Sequence, residues 1–402
     1  MVLYHTIYVL NYFNVGGSVI TRKLFGEEHE AFRDTVRKFI EREIKPYHYQ
    51  WEKDGIVPRD LWLKAGATGM LCCTIPEEYG GLGLDYLFDV VVFEEMGKSG
   101  FTGPGFLIHC DLVATYVKSF GTEEQKRHWL PKMVSGEAIG SLGMTEPHAG
   151  SDLKAIRTRA VRDGDDYVIN GQKVFISNGQ LCDVLVLATK TGDEGAKGIT
   201  LFLVDTSLPG FQRGKNLDKL GMKAQDTSEL FFEDMRVPAS AMLGEEGQGF
   251  ALMMTKLSQE RLAQAIRSAA VAEEVIAYTV DYTSQRKAFG QTIGDFQNTQ
   301  FKLAELKTEA VIGRVFTDQC IALFMDGKLD AVDAAMAKMW LTNLHCKVVD
   351  ECLPLFGGWG YMWEYPIARA YADARIVKIA GGSIEIMKKI IGADLFKKAR
   401  EK

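Results

Sequence analysis

The sequence lacks the regular cysteine spacing of a zinc-binding motif or a disulfide framework. Its seven cysteines are scattered at Cys72, Cys73, Cys110, Cys182, Cys320, Cys346 and Cys352. None forms a CxxC pair, which is the usage of a reducing, intracellular compartment. The histidines show no HExxH spacing, and the adjacent His345 and Cys346 point in different directions on a helix, so no metal site is expected. Basic charge is not in excess either: the formal net charge is −6, so no nucleic acid or anionic membrane is expected as a partner. The apolar start MVLYHTIYVLNYFNVGGSVI is broken by Asn11, Asn14, Gly16 and Gly17. It is too short and too interrupted to span a bilayer. It also lacks the basic start and small-residue cleavage site of a signal peptide, so residues 1–22 read as a terminal extension outside the fold. No transmembrane segment is expected. Three further patterns are missing, G-x-G-x-x-G, Walker A and GxSxG. Rossmann-type nicotinamide binding, P-loop phosphoryl transfer and serine hydrolysis therefore have no support.

What is present is an ordinary globular composition, 47 % hydrophobic and 25 % charged over 402 residues, enough for two to three domains with a large core. The apolar period changes twice. In EEHEAFRDTVRKFIEREI, Phe32, Val36, Phe39 and Ile40 share one helical stripe, and TEEQKRHWLPKM opens on an N-cap Thr122 with acidic residues in its first turn. From Ser141 the pattern is β-rich. YVINGQKVFIS predicts a hairpin turning at Asn170-Gly171, and DVLVLAT, ITLFLVD and SELFFEDMRV predict further strands of a small barrel or sandwich. Helical spacing returns at Gly247 in one long run to Phe289, followed by further helices broken at LPLFGGWGYMWEYP. The fold class is α+β: an all-α region over 23–140, a β-domain over 141–245 and a helical bundle over 246–402.

Four stretches could carry chemistry. MTEPHAGSD (144–152) places short hydroxyls and bare N–H groups in a tight loop suited to a phosphate or the edge of a heteroaromatic ring. A polar surface loop is the plainer alternative. KVFISNG (173–179) sets an aromatic and a hydroxyl two residues apart on one strand face, able to stack on a ring and bond one ring atom; core packing of Phe175 explains the aromatic equally well. RKAFGQ (286–291) and GGSIE (381–385) complete the set.

In this order and spacing, and together with GGWGYMWEYP, these motifs resemble the acyl-CoA dehydrogenase family of flavoenzymes over residues 22–398, closest to its long-chain branch. The resemblance implies an N-terminal helical domain, a middle β-barrel and a C-terminal four-helix bundle. It also implies FAD held between barrel and bundle, usually in a homotetramer. It would set Met144, Thr145 and Gly150 near the flavin and Ser151 on the diphosphate or the pantetheine of the substrate. Phe175, Ile176 and Ser177 would lie against the isoalloxazine. Arg286, Phe289, Gln297, Gly357 and Gly358 would reach the FAD of a neighbouring subunit, and Ser383 and Glu385 would contact FAD at the start of the last helix. The implied reaction is α,β-dehydrogenation of an acyl-CoA thioester, with electrons passed to an electron-transferring flavoprotein.

Most of the family carries its catalytic base immediately before a Gly-Thr pair near the C-terminus. Here KIAGGSIE puts Gly381 in that register. The long-chain branch instead carries a Glu in a Gln-Glu-Arg-Leu sequence on the helix that opens the bundle, and this chain has Gln259-Glu260-Arg261-Leu262. Met253 and Leu257 precede Glu260 on the same helix face, so Glu260 is expected in an apolar pocket with a raised pKa. On its own segment, SQERLAQA, it reads equally as a solvated helix charge. Ser258, Gln259, Arg261, Gly381 and Gly382 would border the substrate. Three departures stand out: His148 replaces a Gly of the loop, Pro354 replaces a Gln near the adenosine portion, and Ala380 replaces an aromatic, widening the thioester pocket toward branched acyl groups. An oxygen-using oxidase and a non-catalytic flavin-binding scaffold of the same fold are the rival readings. The expected location is the cytoplasm, or the mitochondrial matrix in a eukaryote.

Overall fold

The structure, a computed structural model, describes residues 22–400. The expected extension 1–22 lies outside the described residues except for Arg22. That residue is anchored, its guanidinium donating to Asp318 at 2.7 and 2.8 Å.

Six helices form the first layer: α1 (Glu27–Phe39), α2 (His48–Asp54), α3 (Asp60–Ala67), α4 (Tyr86–Ser99), α5 (Thr115–Phe120) and α6 (Glu123–Ser135). The α1 stripe is buried at Val36, Phe39 and Ile40. Its first turn is acidic and its last basic, as the helix dipole favours. Thr122 caps α6 in a reciprocal box with Gln125. Ahead of α5 the chain widens into a π-helical turn, Ile108–Ala114, that buries His109, Cys110 and Asp111. His109 is occupied at both ring nitrogens, by the Met133 carbonyl and the Gly140 N–H. The fully buried Glu94 of α4 meets Arg22, Arg33 and Arg314. Burial alone would push its carboxyl pKa up, but Arg314 and Arg22 outweigh burial and hold it well below the usual range. That network ties the first layer to the last.

The second layer is one sheet of β1 (Gly140–Gly143), β2 (Arg159–Asp163), β3 (Asp166–Ser177), β4 (Val184–Lys190), β5 (Ile199–Asp205), β6 (Phe211–Asn216), β7 (Thr227–Pro238) and β8 (Met242–Leu243). The strand order is β6-β7-β3-β2-β4-β5-β8, with β1 added parallel to β4. Tyr167 on β3 and Phe202 on β5 have ring centroids 5.1 Å apart. Three strand spacings of a flat sheet would separate them by ~14 Å, so the sheet is curled around its own core. The hairpin expected at Asn170-Gly171 does not form. β3 continues through it with a local register shift against β7 between Ile169 and Gly171, and Asn170 pairs reciprocally with Asp234 on β7, at 3.0 and 2.9 Å. The turn sits earlier, at Gly164, whose φ is +65°.

The third layer holds α7 (Gly249–Gln285), α8 (Gln297–Met325), α9 (Ala331–Cys352), α10 (Pro366–Asp373) and α11 (Ile384–Arg400). Leu262, Ile266 and Ala269 of α7 share a core with Val90 and Phe93 of α4, so this long helix is wedged between the first layer and the bundle. Among the described residues, no helix is long and apolar enough to cross a membrane.

Candidate active site

Glu260 lies in the first half of α7, and the turn that faces it is Gly381-Gly382, just ahead of α11. Both glycines have left-handed φ, +66° and +92°, a conformation that costs other L-residues ~1–2 kcal/mol. Neighbouring side-chain ends also fill the space that a side chain here would enter. A Cβ on Gly381 would stand 3.1 Å from Glu260 Oε1 and 2.7 Å from Gln264 Nε2. The carboxylate on the helix thus occupies the volume that a residue on the turn would otherwise project into. Sequence register alone had brought Gly381 and Glu260 together as a loss and a gain; in space they are neighbours.

Glu260 keeps some accessible surface, yet protein encloses its carboxyl group closely enough for desolvation to dominate. Its pKa is raised by burial, with Arg261 and Lys338 pulling the other way. Arg261 is buried at 5 % exposure, and its Nε finds no hydrogen-bond acceptor among the described residues. Gln259 is turned away: its Nε2 donates to Asp111 Oδ1 at 2.8 Å, which fixes it to the π-helical turn. Asp111 has its pKa pushed well above the carboxylate range by burial and by the nearby Asp89 and Glu260 charges. Ser258 is half-buried beside them.

On the sheet side, Phe175 breaks the strand. Its φ is +62°, the register against β7 shifts between Lys173 and Ile176, and the ring is 65 % exposed. Core packing of Phe175 is therefore wrong; the bulge turns it out of the sheet. Ile176 does the opposite, its side chain entering the sheet core, so only its backbone is open to a ligand. The Ser177 carbonyl accepts from Ser141 Oγ at 2.7 Å. The next residue, Asn178, also at positive φ, is buried and donates to the Gly105 and Gly140 carbonyls.

The loop from Met144 to Asp152 is braced from beneath. The buried Lys173 donates to the Met144 carbonyl at 3.1 Å and to Glu146 Oε1 at 2.7 Å. Glu146 also accepts the Arg157 and Thr158 N–H groups. His148 Nε2 lies 3.3 Å from Glu146, so this departure from the family pattern is tied into the brace. Met144 is buried and Thr145 partly so, while Gly150 and Ser151 are exposed.

A third group stands apart. Arg286 ends α7, 26 residues beyond Glu260, which is ~39 Å along a helix. Phe289, 97 % exposed, tips a two-residue hairpin between Lys287–Ala288 and Gln291–Thr292. Tyr282 stacks on Phe356 at 4.3 Å, which brings the exposed Gly357, Gly358 and Pro354 to the same end as Arg286 and the exposed Gln297. Within one chain this group cannot join Glu260. Ser383 and the exposed Glu385 sit at the start of α11, and Ala380 is exposed ahead of the turn.

Helices, a curled sheet and a bundle, with an enclosed carboxylate set against a bare glycine turn, make up the described architecture. Comparison with known proteins narrows the class. Residues 26–137, 141–235 and 247–396 match the N-terminal, middle and C-terminal domains of acyl-CoA dehydrogenases, and the chain belongs to the acyl-CoA dehydrogenase family. It is 50 % identical over 377 residues to the mitochondrial long-chain specific acyl-CoA dehydrogenase of Rattus norvegicus, covering 93 % of this chain and 88 % of the relative. An acyl-CoA dehydrogenase from Geobacillus kaustophilus superposes with a TM-score of 0.92 at 48 % identity, over 93 % of this chain and all of that one. A glutaryl-CoA dehydrogenase from Mycobacterium smegmatis, in complex with FADH2, does so at 0.86 and 30 % identity, over 92 % and 95 %. The chain is an acyl-CoA dehydrogenating enzyme of a flavin-dependent family.

Sequence reading missed the scaffold of the site: Asp111, Glu146, Lys173, Gln264 and Lys338. One signal was available. Lys338 falls on the buried stripe of α9, with Ala334 and Leu341 before and after it, and a charge on an apolar stripe is rare without a partner.

Proposed function

We propose that the chain binds FAD and oxidises long-chain acyl-CoA thioesters to trans-2-enoyl-CoA, with Glu260 as the catalytic base. One observation carries this reading: Glu260 Oε1 stands 3.1 Å from where a Gly381 Cβ would be. A base supplied from α7 thereby reaches the place a base on the turn would serve. The enclosed carboxyl group is a stronger base than a solvated one, and Arg261 and Lys338 partly offset the rise that burial causes. Backbone N–H groups of the Gly381-Gly382 turn hold the thioester carbonyl and stabilise the charge that develops as the α-proton leaves. FAD supplies the hydride acceptor, its N5, for the β-carbon.

The residues present fit such a cofactor. An exposed Phe175, held at positive φ by a braced bulge, offers a ring face, with Ser177 beside it. The Met144–Ser151 loop offers N–H and hydroxyl groups to an anionic, heteroaromatic ligand, and Ser383 and Glu385 approach it from α11. Arg286, Phe289, Gln297, Gly357 and Gly358, remote from Glu260 in one chain, serve the FAD of another subunit. The assembly is a homotetramer, and the exposed Phe289, Phe301 and Ile312 are apolar surface for its contacts. The functional units are the helical, barrel and bundle domains divided near residues 140 and 245. An electron-transferring flavoprotein reoxidises the enzyme, in the cytoplasm or the mitochondrial matrix; seven buried free thiols accord with a reducing compartment.

The test is anaerobic mixing of the flavin-loaded protein with straight acyl-CoAs of increasing length. The flavin absorbance should bleach fastest with long chains. Bleaching only by short or branched chains would refute the long-chain assignment.

A further inference from the structure

Lys338 is fully buried on α9, a costly place for an ammonium group without compensation. Its Nζ donates to the carbonyl of Gly382, the second glycine of the turn. The charges that face it come from α7, as Glu260 and Arg261, and from α11, as Glu385. Among the described residues no Glu260 oxygen lies within ion-pair distance of it, 4.0 Å. That offset is informative. A direct pair would occupy the carboxylate oxygens and weaken them as proton acceptors, whereas a charge held one step back stabilises the ionised form and leaves the lone pairs free.

Resting on the reading of Glu260 as base, we propose that Lys338 is a positioning residue of the dehydrogenation: its ammonium clamps the Gly381-Gly382 turn by the Gly382 carbonyl and supplies the positive charge against which Glu260 ionises. Two consecutive glycines are conformationally free, so a turn that must present N–H groups to a thioester needs an anchor from outside itself. Burial lowers the Lys338 pKa to about 8, partly offset by Glu260 and by Glu385. At neutral pH the group is mostly charged; above about 8 it still donates to Gly382 but no longer supports the Glu260 carboxylate.

The experiment compares flavin-loaded wild type, Lys338→Met, Lys338→Arg and Glu260→Gln. It reads the acid limb of anaerobic flavin reduction against pH, and calorimetric affinity for an enoyl-CoA product. Lys338→Met should load flavin, move the acid limb up by about 1 pH unit and bind enoyl-CoA about tenfold more weakly. Lys338→Arg should return the limb to the wild-type position without restoring the affinity. A wild-type limb and affinity in Lys338→Met, beside an inactive Glu260→Gln, would overturn this proposal alone. Should Lys338→Met not fold, a shifted limb or an unchanged affinity in Lys338→Arg would overturn it equally. Full reduction by Glu260→Gln would bring down the base assignment and the charge half of the proposal, while the enoyl-CoA affinities still decide the clamp.

Discussion

A carboxylate moved from α7 to the facing turn should keep working. The perturbation is the exchange Glu260→Gly with Gly381→Glu. A Glu at position 381 has its Cβ 3.1 Å from the present Glu260 Oε1, and two further bonds carry its carboxyl into the volume that Glu260 vacates. The obstacle is Gln264 Nε2, 2.7 Å from that Cβ, the mobile end of a side chain that can swing aside. Left-handed φ at 381 costs the new residue ~1–2 kcal/mol, which limits the recovery. Loss of the base in Glu260→Gly alone should lower the flavin-reduction rate by about 10²–10⁴-fold. The exchange should recover to within about 10–100-fold of wild type, and Gly381→Glu alone should fail, since two carboxyl groups that close cannot both ionise. Rapid-mixing absorbance of the anaerobic flavin gives each rate. An exchange no faster than Glu260→Gly, with flavin bound and melting unchanged, would refute the shared-volume reasoning.

Three further outcomes follow from other parts of the molecule. His345 is buried with neither ring nitrogen hydrogen-bonded among the described residues, and burial, with Arg267 and Arg375, lowers its pKa to about 3. Stability from its neutral form is therefore whole above pH 6.5 and is lost as pH falls toward that depressed value. His345→Leu should resist urea better than wild type by ~2 kcal/mol more at pH 5 than at pH 7; equal gains at both would exclude a buried neutral histidine. Removing the loop brace with Lys173→Met leaves the buried Glu146 short of its counter-charge, and should cost ~3 kcal/mol in chemical denaturation; a wild-type midpoint would mean that Glu146 is satisfied without it. Phe175→Ala should weaken FAD affinity ~3–10-fold, read by fluorescence on titrating flavin into apoprotein, and unaltered affinity would remove Phe175 from the flavin face.

Periodicity carried much of this fold. The stripe at Val36, Phe39 and Ile40 and the Thr122 cap are local events, decided by neighbours within one or two turns, and they stand as read. Asn170-Gly171 did not turn because a partner on β7, 64 residues away, captured the Asn side chain; a tertiary contact overrode a dipeptide preference. Phe175 was ambiguous for a related reason, since a bulge is a property of two strands and one strand's sequence cannot reveal it. Glu260 and Gly381 could be paired from motif register, but their contact depends on how α7 packs against the turn. Glu146 and Lys173 lie inside the quoted motifs, but nothing in the sequence tells that they pair, and Asp111 carries no local pattern. They are legible only once burial and hydrogen bonds can be seen.

The central claim is that Glu260 removes the α-proton. Its most direct test is the anaerobic absorbance of FAD-loaded wild type and Glu260→Gln on adding a long straight-chain acyl-CoA. Bleaching in wild type, with loss of at least about 10²-fold in the variant, is the predicted result. Equal bleaching in the two proteins would contradict it.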